Sequence, residues 1–416
     1  MTDQKKFVFF AAITGNILEY YDFTVYLVFY SIIGKAFFPH SSEFAQSIQS
    51  LGVFAIGFIT RPIGGILFGY IGDTYGRRMS LICSVLGMTI PTFSIGLIPS
   101  YEEIGFYAPT MLIIFRLIQG LCISGEGTGA AIFVLEHQNN LRPGFITGLV
   151  HGSNIAGTIL ASFIGIIIHQ YFSHLEYAWR FAFILGGFMG LATFYLRLRV
   201  SETPIFAELH ETKRTLKTPF LSVVRNSWQS MFLTFCVAGF TSSIFYMVKS
   251  YVNVFYRDIM HFDTSSALFY STYASIILMM GIPIAGIAVD RIGKVPVIKF
   301  AVCIIILLAS PVLIGMSSEN LVIRFTSLTI LALMAASMSG CAYVFVISLF
   351  SPEERFSGVA FSYNLGIAVF GGTSPIISTW LVEYTRLYYA AAFYIMATGL
   401  MFLLVLTLMK NIVSKV

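Results

Sequence analysis

Charge is scarce in this sequence. Asp, Glu, Lys and Arg together supply 11% of the 416 residues, whereas apolar residues supply 57%. Soluble globular chains are about a quarter charged, so a soluble enzyme or binding domain is excluded and the chain belongs in lipid. Cysteine is sparse too: Cys83, Cys122, Cys236, Cys303 and Cys341 are widely spaced within apolar runs. None has metal-ligand spacing, so neither a disulfide framework nor a metal site is expected. No Gly-x-x-x-x-Gly-Lys-Ser/Thr loop occurs, which excludes an ATP-driven motor in this chain and gives no sign of an ATPase subunit. His-Glu-x-x-His and Gly-x-Ser-x-Gly are also missing, so an enzyme is not expected. The net charge of +5 forms no basic stripe, and no nucleic-acid partner is expected. A cleavable signal peptide is not evident. Lys5 and Lys6 precede an apolar run, but that run carries Glu19 and Asp22 and lacks a small-residue cleavage site, so it reads as a first span.

What the chain does have is long apolar runs. A helix needs ~20 apolar residues to cross a bilayer, and twelve segments approach or exceed that length. They cover residues 9–34, 48–71, 79–99, 108–134, 144–170, 179–199, 229–256, 267–289, 295–316, 321–350, 357–383 and 388–410. Barrel strands would alternate over about ten residues, and these runs are too long and too uniformly apolar for that. The aromatic content of 16% suits a lipid-facing surface with interfacial anchors. The expected architecture is all-α, with twelve membrane helices in two six-helix bundles: residues 1–199, a cytoplasmic linker over 200–228, and residues 229–416. The linker carries Glu202, Glu208, Glu211, Lys213, Arg214 and Lys217 and is expected to be partly helical.

Orientation follows from the basic residues. With the N-terminus inside, seventeen of the 25 Lys and Arg, Arg197 and Arg199 among them, fall on inner segments, and only Lys35, Arg180, Arg257, Arg324 and Arg386 on outer ones. The positive-inside rule then places both termini in the cytoplasm.

The two halves repeat a charged turn. Gly69-Tyr70-Ile71-Gly72-Asp73-Thr74-Tyr75-Gly76-Arg77 follows the second run, and Gly286-Ile287-Ala288-Val289-Asp290-Arg291-Ile292-Gly293-Lys294 follows the eighth. Both read Gly, three residues, Asp, two residues, Gly, base. Duplication of a half-chain in a membrane protein is the mark of a transporter built from two similar bundles. Glycine permits a tight turn and the bases, Arg77 and Arg78 among them, anchor it to the inner leaflet. A topology anchor alone is the alternative reading; the duplication at matching positions, in two halves that must move against each other, argues for a gate formed by Asp73, Arg77, Arg78, Asp290 and Arg291.

Six ionisable side chains lie inside spans, where charge costs ~2.5–3.5 kcal/mol on insertion scales and usually serves a function. Glu19 and Asp22 sit mid-way along the first run. At 100° per residue Asn16, Glu19, Tyr20, Phe23 and Tyr26 share a face, with Asp22 at its edge. Carboxylate, amide, phenol and ring together suit a small polar or cationic solute. A carboxylate there can also carry a proton, since desolvation disfavours its ionised form. Arg116, Gln119 and Glu126 lie on one face of the fourth run. Arg116 and Glu126 are ~15 Å apart along a helix and cannot pair with each other, so each needs a partner elsewhere; Glu19 and Asp22 are the nearest in depth. Either a proton relay or a fixed ion-pair network results. Arg61 precedes Pro62 and Gly64-Gly65 in a loosened second helix, suited to a solute carboxylate or to a first-span acid. Lys249 stands between Tyr246 and Tyr251, suited to a carboxylate or to snorkelling outward.

These motifs resemble the major facilitator superfamily, whose signature turn between its second and third helices is similar to Gly69 through Arg78. More narrowly, the chain resembles the metabolite:proton symporter family of proline/betaine, α-ketoglutarate, shikimate and citrate carriers. The likeness rests on Gly15-Asn16 with Glu19-Tyr20-Tyr21-Asp22-Phe23, on Arg61-Pro62-Ile63-Gly64-Gly65, and on Arg116-Leu117-Ile118-Gln119-Gly120 with Gly125-Glu126. Trp179-Arg180, Glu202-Thr203-Pro204 and Tyr363-Asn364 with Gly371-Gly372-Thr373 continue it. Thr74 departs from the family pattern where a base is common, the second turn lacks a second base, and Lys249 stands where an apolar residue is expected.

The resemblance implies proton-coupled uptake by alternating access in a bacterial inner membrane, with two halves rocking around a central site. It needs no cofactor beyond the proton gradient; its partners are solute, proton and membrane lipids. Proton coupling is expected from Glu19, Asp22, Glu126 and Arg116, and solute binding from Asn16, Tyr20, Tyr26, Arg61, Gln119, Tyr246, Lys249, Tyr363 and Asn364. A zwitterion of the proline/betaine type is favoured, with a mono- or dicarboxylate as the alternative. A non-transporting solute sensor and a proton-independent facilitator are the rival readings. The chain ends six residues after Lys410, so regulation through the long C-terminal coiled coil of some osmosensing carriers is not expected.

Overall fold

A computed structural model describes residues 3–138, 142–172 and 174–413. It is helical throughout, with no strand among the described residues. Among the described residues, twelve helices of spanning length run in order: α1 (Asp3–Phe37), α2 (Glu43–Thr74), α3 (Arg77–Ile95), α4 (Tyr107–His137), α5 (Pro143–Tyr171), α6 (Trp179–Leu198), α7 (Trp228–Ile259), α8 (Thr264–Ile292), α9 (Lys294–Met316), α10 (Leu321–Ser348), α11 (Arg355–Thr385) and α12 (Ala391–Leu408). Eleven of them are apolar enough to span by composition alone. The other is α1, whose hydropathy is lowered by Asn16, Glu19 and Asp22.

Local chemistry sets the ends. Ser42 caps α2, its hydroxyl accepting the Ala45 N–H at 3.3 Å. Asp263 caps α8 from Ser266 N–H at 2.9 Å, and Asn320 caps α10 from Val322 N–H at 2.9 Å. Each satisfies a donor that a helix N-terminus leaves orphaned. The repeated charged turn yields the same backbone twice: Gly76 has φ 118° and Gly293 φ 98°, values that strain any residue with a Cβ.

Interruptions fall at informative places. α4 is broken between Tyr107–Ile123 and Gly127–His137. The run expected to be one helix with Arg116, Gln119 and Glu126 on one face is therefore two helices, and the break re-aims Glu126. In α7 and α11 the backbone widens to π-helix over Met247–Tyr251, Phe255–Ile259 and Ile367–Gly371, a distortion common at functional sites. The connection between α6 and α7 contains helices Pro204–Glu211 and Pro219–Asn226.

Contacts group the chain into two compact units. One comprises Met1–Gln138 and Ser153–Phe220; the other comprises Asn139–Gly152 and Leu221–Val416. The division falls within the connection, and α5 is shared, its first turns belonging with the second unit. In bilayers helices associate through close packing and hydrogen bonds rather than through an aqueous hydrophobic effect. The first unit's core accordingly packs Tyr21, Tyr26, Phe29 and Phe37 of α1 against Leu112 of α4 and Trp179 and Phe183 of α6. Tyr21 Oη donates to the Ala182 carbonyl at 2.8 Å. On α2, Ile59, Ile63 and Leu67 are exposed at four-residue spacing while Thr60 and Arg61 are buried. One stripe of that helix thus meets lipid and the other faces protein.

Candidate functional site

Among the described residues, Asp22 and Glu126 sit in two separate buried centres of the first unit. Asp22, 1% exposed, sits where α1 meets α3 and α4. Its Oδ1 accepts the Thr92 hydroxyl at 2.8 Å and its Oδ2 the Gln119 amide at 2.8 Å. Gln119 in turn accepts from Arg116 Nη1 at 2.9 Å. Arg116 Nη1 stands 3.8 Å from Asp22 Oδ2, an ion pair without a direct hydrogen bond. The Arg116 guanidinium lies 3.7 Å from the Tyr26 ring centroid, and Tyr26 Oη is fixed by the Ser50 carbonyl at 3.0 Å. One turn apart on α4, Arg116 and Gln119 reach the same acid, and the aromatic face of α1 holds the cation.

Glu126 belongs to the other centre. It is fully buried and pairs with Arg197 of α6 through both carboxylate oxygens; the Arg197 Nη1–Oε2 bond is 2.8 Å. Ser84 of α3 donates to the same Oε2 at 2.9 Å. Arg197 also donates to the Leu81 carbonyl at 2.8 Å and the Ala11 carbonyl at 3.4 Å. The pair presses on α1 where a Cβ at Gly15 would overlap Glu126 Oε1 and Arg197 Nη2. The partner of Glu126 is thus neither Glu19 nor Asp22. It is a base that sequence reasoning assigned to the inner loops, because Arg197 lies at the end of an apolar run beside Arg199.

Glu19 and Asn16, about one and two turns before Asp22 on α1, are buried, and Tyr20 is half-buried. Arg61, 3% exposed, lies over the rings of Phe58 at 4.6 Å and Phe23 at 5.3 Å. Its Nε is buried without a hydrogen-bond partner, and it joins no ion pair among the described residues. The first-span acid considered as its partner is therefore replaced by two aromatic faces.

In the second unit, Lys249 sits inside the π segment Met247–Tyr251 and Tyr246 immediately before it. Tyr363 and Asn364 precede the π segment Ile367–Gly371 of α11. Tyr363 stacks obliquely on Tyr343 at 5.3 Å, and Asn364 Nδ2 donates back to the Ala360 carbonyl at 2.8 Å. Sequence reasoning missed His151. Its ring lies 4.5 Å from Tyr343, nearly parallel, with Nδ1 2.9 Å from the Ser339 carbonyl. A histidine in the middle of an apolar run was the available signal.

The two charged turns are built differently. In the first, Arg77 is fully buried, bridging Asp73 at 3.2 Å and Glu136 at 3.3 Å, and it donates to the Gly72 carbonyl at 2.8 Å. Thr203 donates to Glu136 at 2.7 Å, and the Arg78 N–H meets both Glu202 oxygens at 3.2 and 3.1 Å. Burial raises the Glu202 carboxyl above its ordinary range, against the opposing effect of the Thr203 and Arg78 N–H groups. In the second turn, Asp290 accepts the backbone N–H groups of Gly144 and Phe145 at 2.7 and 2.9 Å. It thereby caps the N-terminus of α5. Arg291 is exposed.

The Major Facilitator Superfamily profile matches residues 12–366. The chain belongs to the Major Facilitator Superfamily. It is accordingly a multi-pass membrane transporter and not an enzyme. Among curated relatives, the glycine betaine/proline/ectoine/pipecolic acid transporter OusA of Dickeya dadantii (strain 3937) is 31% identical, the match covering 97% of this chain and 83% of that protein. The proline/betaine transporter of Escherichia coli (strain K12) is 30% identical over the same shares. Among solved structures, the proton:xylose symporter XylE bound to 6-bromo-6-deoxy-D-glucose superposes with a TM-score of 0.75 at 19% identity, covering 99% of this chain and 96% of that one. That likeness carries the superfamily fold: twelve helices in two related bundles.

Proposed function

We propose that this transporter is a proton symporter for a small zwitterion of the proline or betaine type. It works by alternating access in a bacterial inner membrane with both termini cytoplasmic. The observation that carries the reading is the Asp22 centre. Its carboxylate is removed from water and held by two neutral donors, Thr92 and Gln119, while its cation stands 3.8 Å away. Such a group can be discharged by a proton without dismantling its surroundings, because the hydroxyl and amide partners serve either form. Glu126, engaged by Arg197 and Ser84, has less freedom to release its charge. We therefore assign the coupling proton to Asp22, with Glu19 as its neighbour on α1 and Arg116 as the counter-charge.

For the solute, Arg61 supplies a buried guanidinium with no acid of its own, suited to a carboxylate end. In the first unit we add Asn16, Tyr20, Tyr26 and Gln119 as contacts, and in the second Tyr246, Lys249, Tyr363 and Asn364. The names of the relatives support a proline- or betaine-like solute, and the sequence motifs support the same family. The deciding experiment is uptake into proteoliposomes under an imposed inward proton gradient, comparing labelled proline, glycine betaine and succinate. Accumulation of a zwitterion that collapses with a protonophore supports the proposal. Accumulation of succinate alone, or flux indifferent to the gradient, refutes it.

A further inference from the structure

At the end of the first unit opposite the Gly76 turn lies a cavity that the proposed transport chemistry does not use. Its volume is about 580 Å³, inside the ~300–1,000 Å³ range of small-molecule sites. It is walled by the end of α1, the segment before α4 and the connection from α5 to α6. Six lining residues set its chemistry: Lys35 and Arg180 are basic, Glu102 and Glu176 acidic, Phe172 and Trp179 aromatic.

The placement has local causes. Lys35 occupies the last turn of α1 and Glu102 the first turn of the short helix Tyr101–Ile104, each on the side that the helix dipole favours. Trp179 opens α6 with its indole 2% exposed. Arg180 lies 4.8 Å over the Trp179 ring and is steadied by the carbonyls of Gly96 and Ile98. Glu103 is already turned to its own cap, accepting the Ser100 hydroxyl at 3.1 Å. Glu102 and Glu176, by contrast, are exposed and join no hydrogen bond or ion pair among the described residues.

Both signs of charge therefore face one volume beside aromatic rings. A simple anion entering it would meet the glutamates, and a simple cation would meet Lys35 and Arg180. A molecule with an ammonium group and an anionic oxygen a few bonds apart satisfies both sets, and its ammonium can rest against the exposed ring of Phe172. We propose that this cavity is a binding site for an ammonium-bearing zwitterion, separate from the Asp22 centre. Two sources share that chemistry: a free amino acid or betaine, and the headgroup of phosphatidylethanolamine.

The chain has three tryptophans, and only Trp179 lines the cavity. With Trp228→Phe and Trp380→Phe in place, its emission reports occupancy. The protein is placed in nanodiscs of phosphatidylglycerol alone and titrated with glycine betaine and, separately, with dihexanoyl phosphatidylethanolamine. A saturable change in emission is expected for at least one of them. The apparent Kd should rise at least tenfold in Glu102→Gln/Glu176→Gln and stay unchanged in Asp22→Asn. Saturation by betaine assigns a free solute, and saturation by the lipid alone assigns a headgroup; either supports the site. No saturable change with either ligand, or a response that the double glutamine variant leaves intact, overturns it. Because Asp22→Asn removes the proposed coupling group, failure of the transport reading and failure of this site give different patterns.

Discussion

Arg116 stops 3.8 Å short of Asp22, within ion-pair range but beyond a hydrogen bond, while its Nη1 donates to Gln119 at 2.9 Å. The cation thus stabilises the carboxylate through space while Gln119 and Thr92 hold it by contact. Asp22→Asn keeps the shape and most of these hydrogen bonds but cannot exchange charge. Gradient-driven accumulation should fall at least tenfold in this variant, while solute exchange between equal internal and external pools persists. Proteoliposome uptake and counterflow measure the two separately. Accumulation at the wild-type ratio would remove Asp22 from coupling.

The second carboxylate centre predicts a packing effect. Gly15→Ala would put a Cβ into Glu126 Oε1 and Arg197 Nη2, and neither can retreat without losing Ser84, Leu81 or Ala11. Overpacking of this kind costs about 1–3 kcal/mol. Thermal unfolding of Gly15→Ala should show that loss, and the loss should shrink when Arg197→Met removes the obstructing guanidinium. Equal losses in both backgrounds would show that the pair is not what excludes a side chain at residue 15.

How far the sequence could be read divides along physical lines. Spans announce themselves because hydrocarbon demands long apolar runs, and the repeated turn announces itself because Gly76 and Gly293 need positive φ. Asp22, Gln119 and Arg116 were visible as charged or polar residues in the wrong medium. Their partners were not: Thr92 and Ser84 are unremarkable in any helix, and Arg197 sat where a loop base was expected. Nor could helical periodicity follow α4 past Ile123, where the break turns Glu126 away from the Arg116 face. The Cα trace of one helix is periodic, but which helix supplies a partner is decided by packing between helices distant in sequence.

Glu202 gives a pH dependence outside the spans. Burial raises its carboxyl above the ordinary 4.5, so between that value and the raised one the folded protein holds a proton that the unfolded chain has released. Stability linked to this group is therefore complete below about 4.5 and declines as pH rises through the raised value. The melting temperature of the wild type relative to Glu202→Gln should accordingly fall as pH increases from 4.5 towards neutrality. A difference that is flat, or that grows with pH, would contradict the assignment.

Asp290 ties two helices of the second unit together. Its two oxygens take the Gly144 and Phe145 N–H groups at 2.7 and 2.9 Å, and α5 and α8 touch so closely there that a Cβ at Gly144 would overlap the Gly286 carbonyl. The carboxylate thus satisfies two donors that the start of α5 would otherwise present unpaired, and it does so from a different helix. Loss of such a cap weakens a helix end by about 1 kcal/mol, enough to raise local opening several-fold without unfolding the bundle. Asp290→Ala should therefore speed amide exchange of the peptide spanning residues 142–150 about fivefold, while exchange in α9 and α12 is unaltered. Asp290→Glu, which keeps the charge but lengthens the arm, should fall between the two. Unchanged exchange at residues 144 and 145 in Asp290→Ala would mean that the start of α5 is held by packing alone, and that this acid has no part in coupling the turn to the helix.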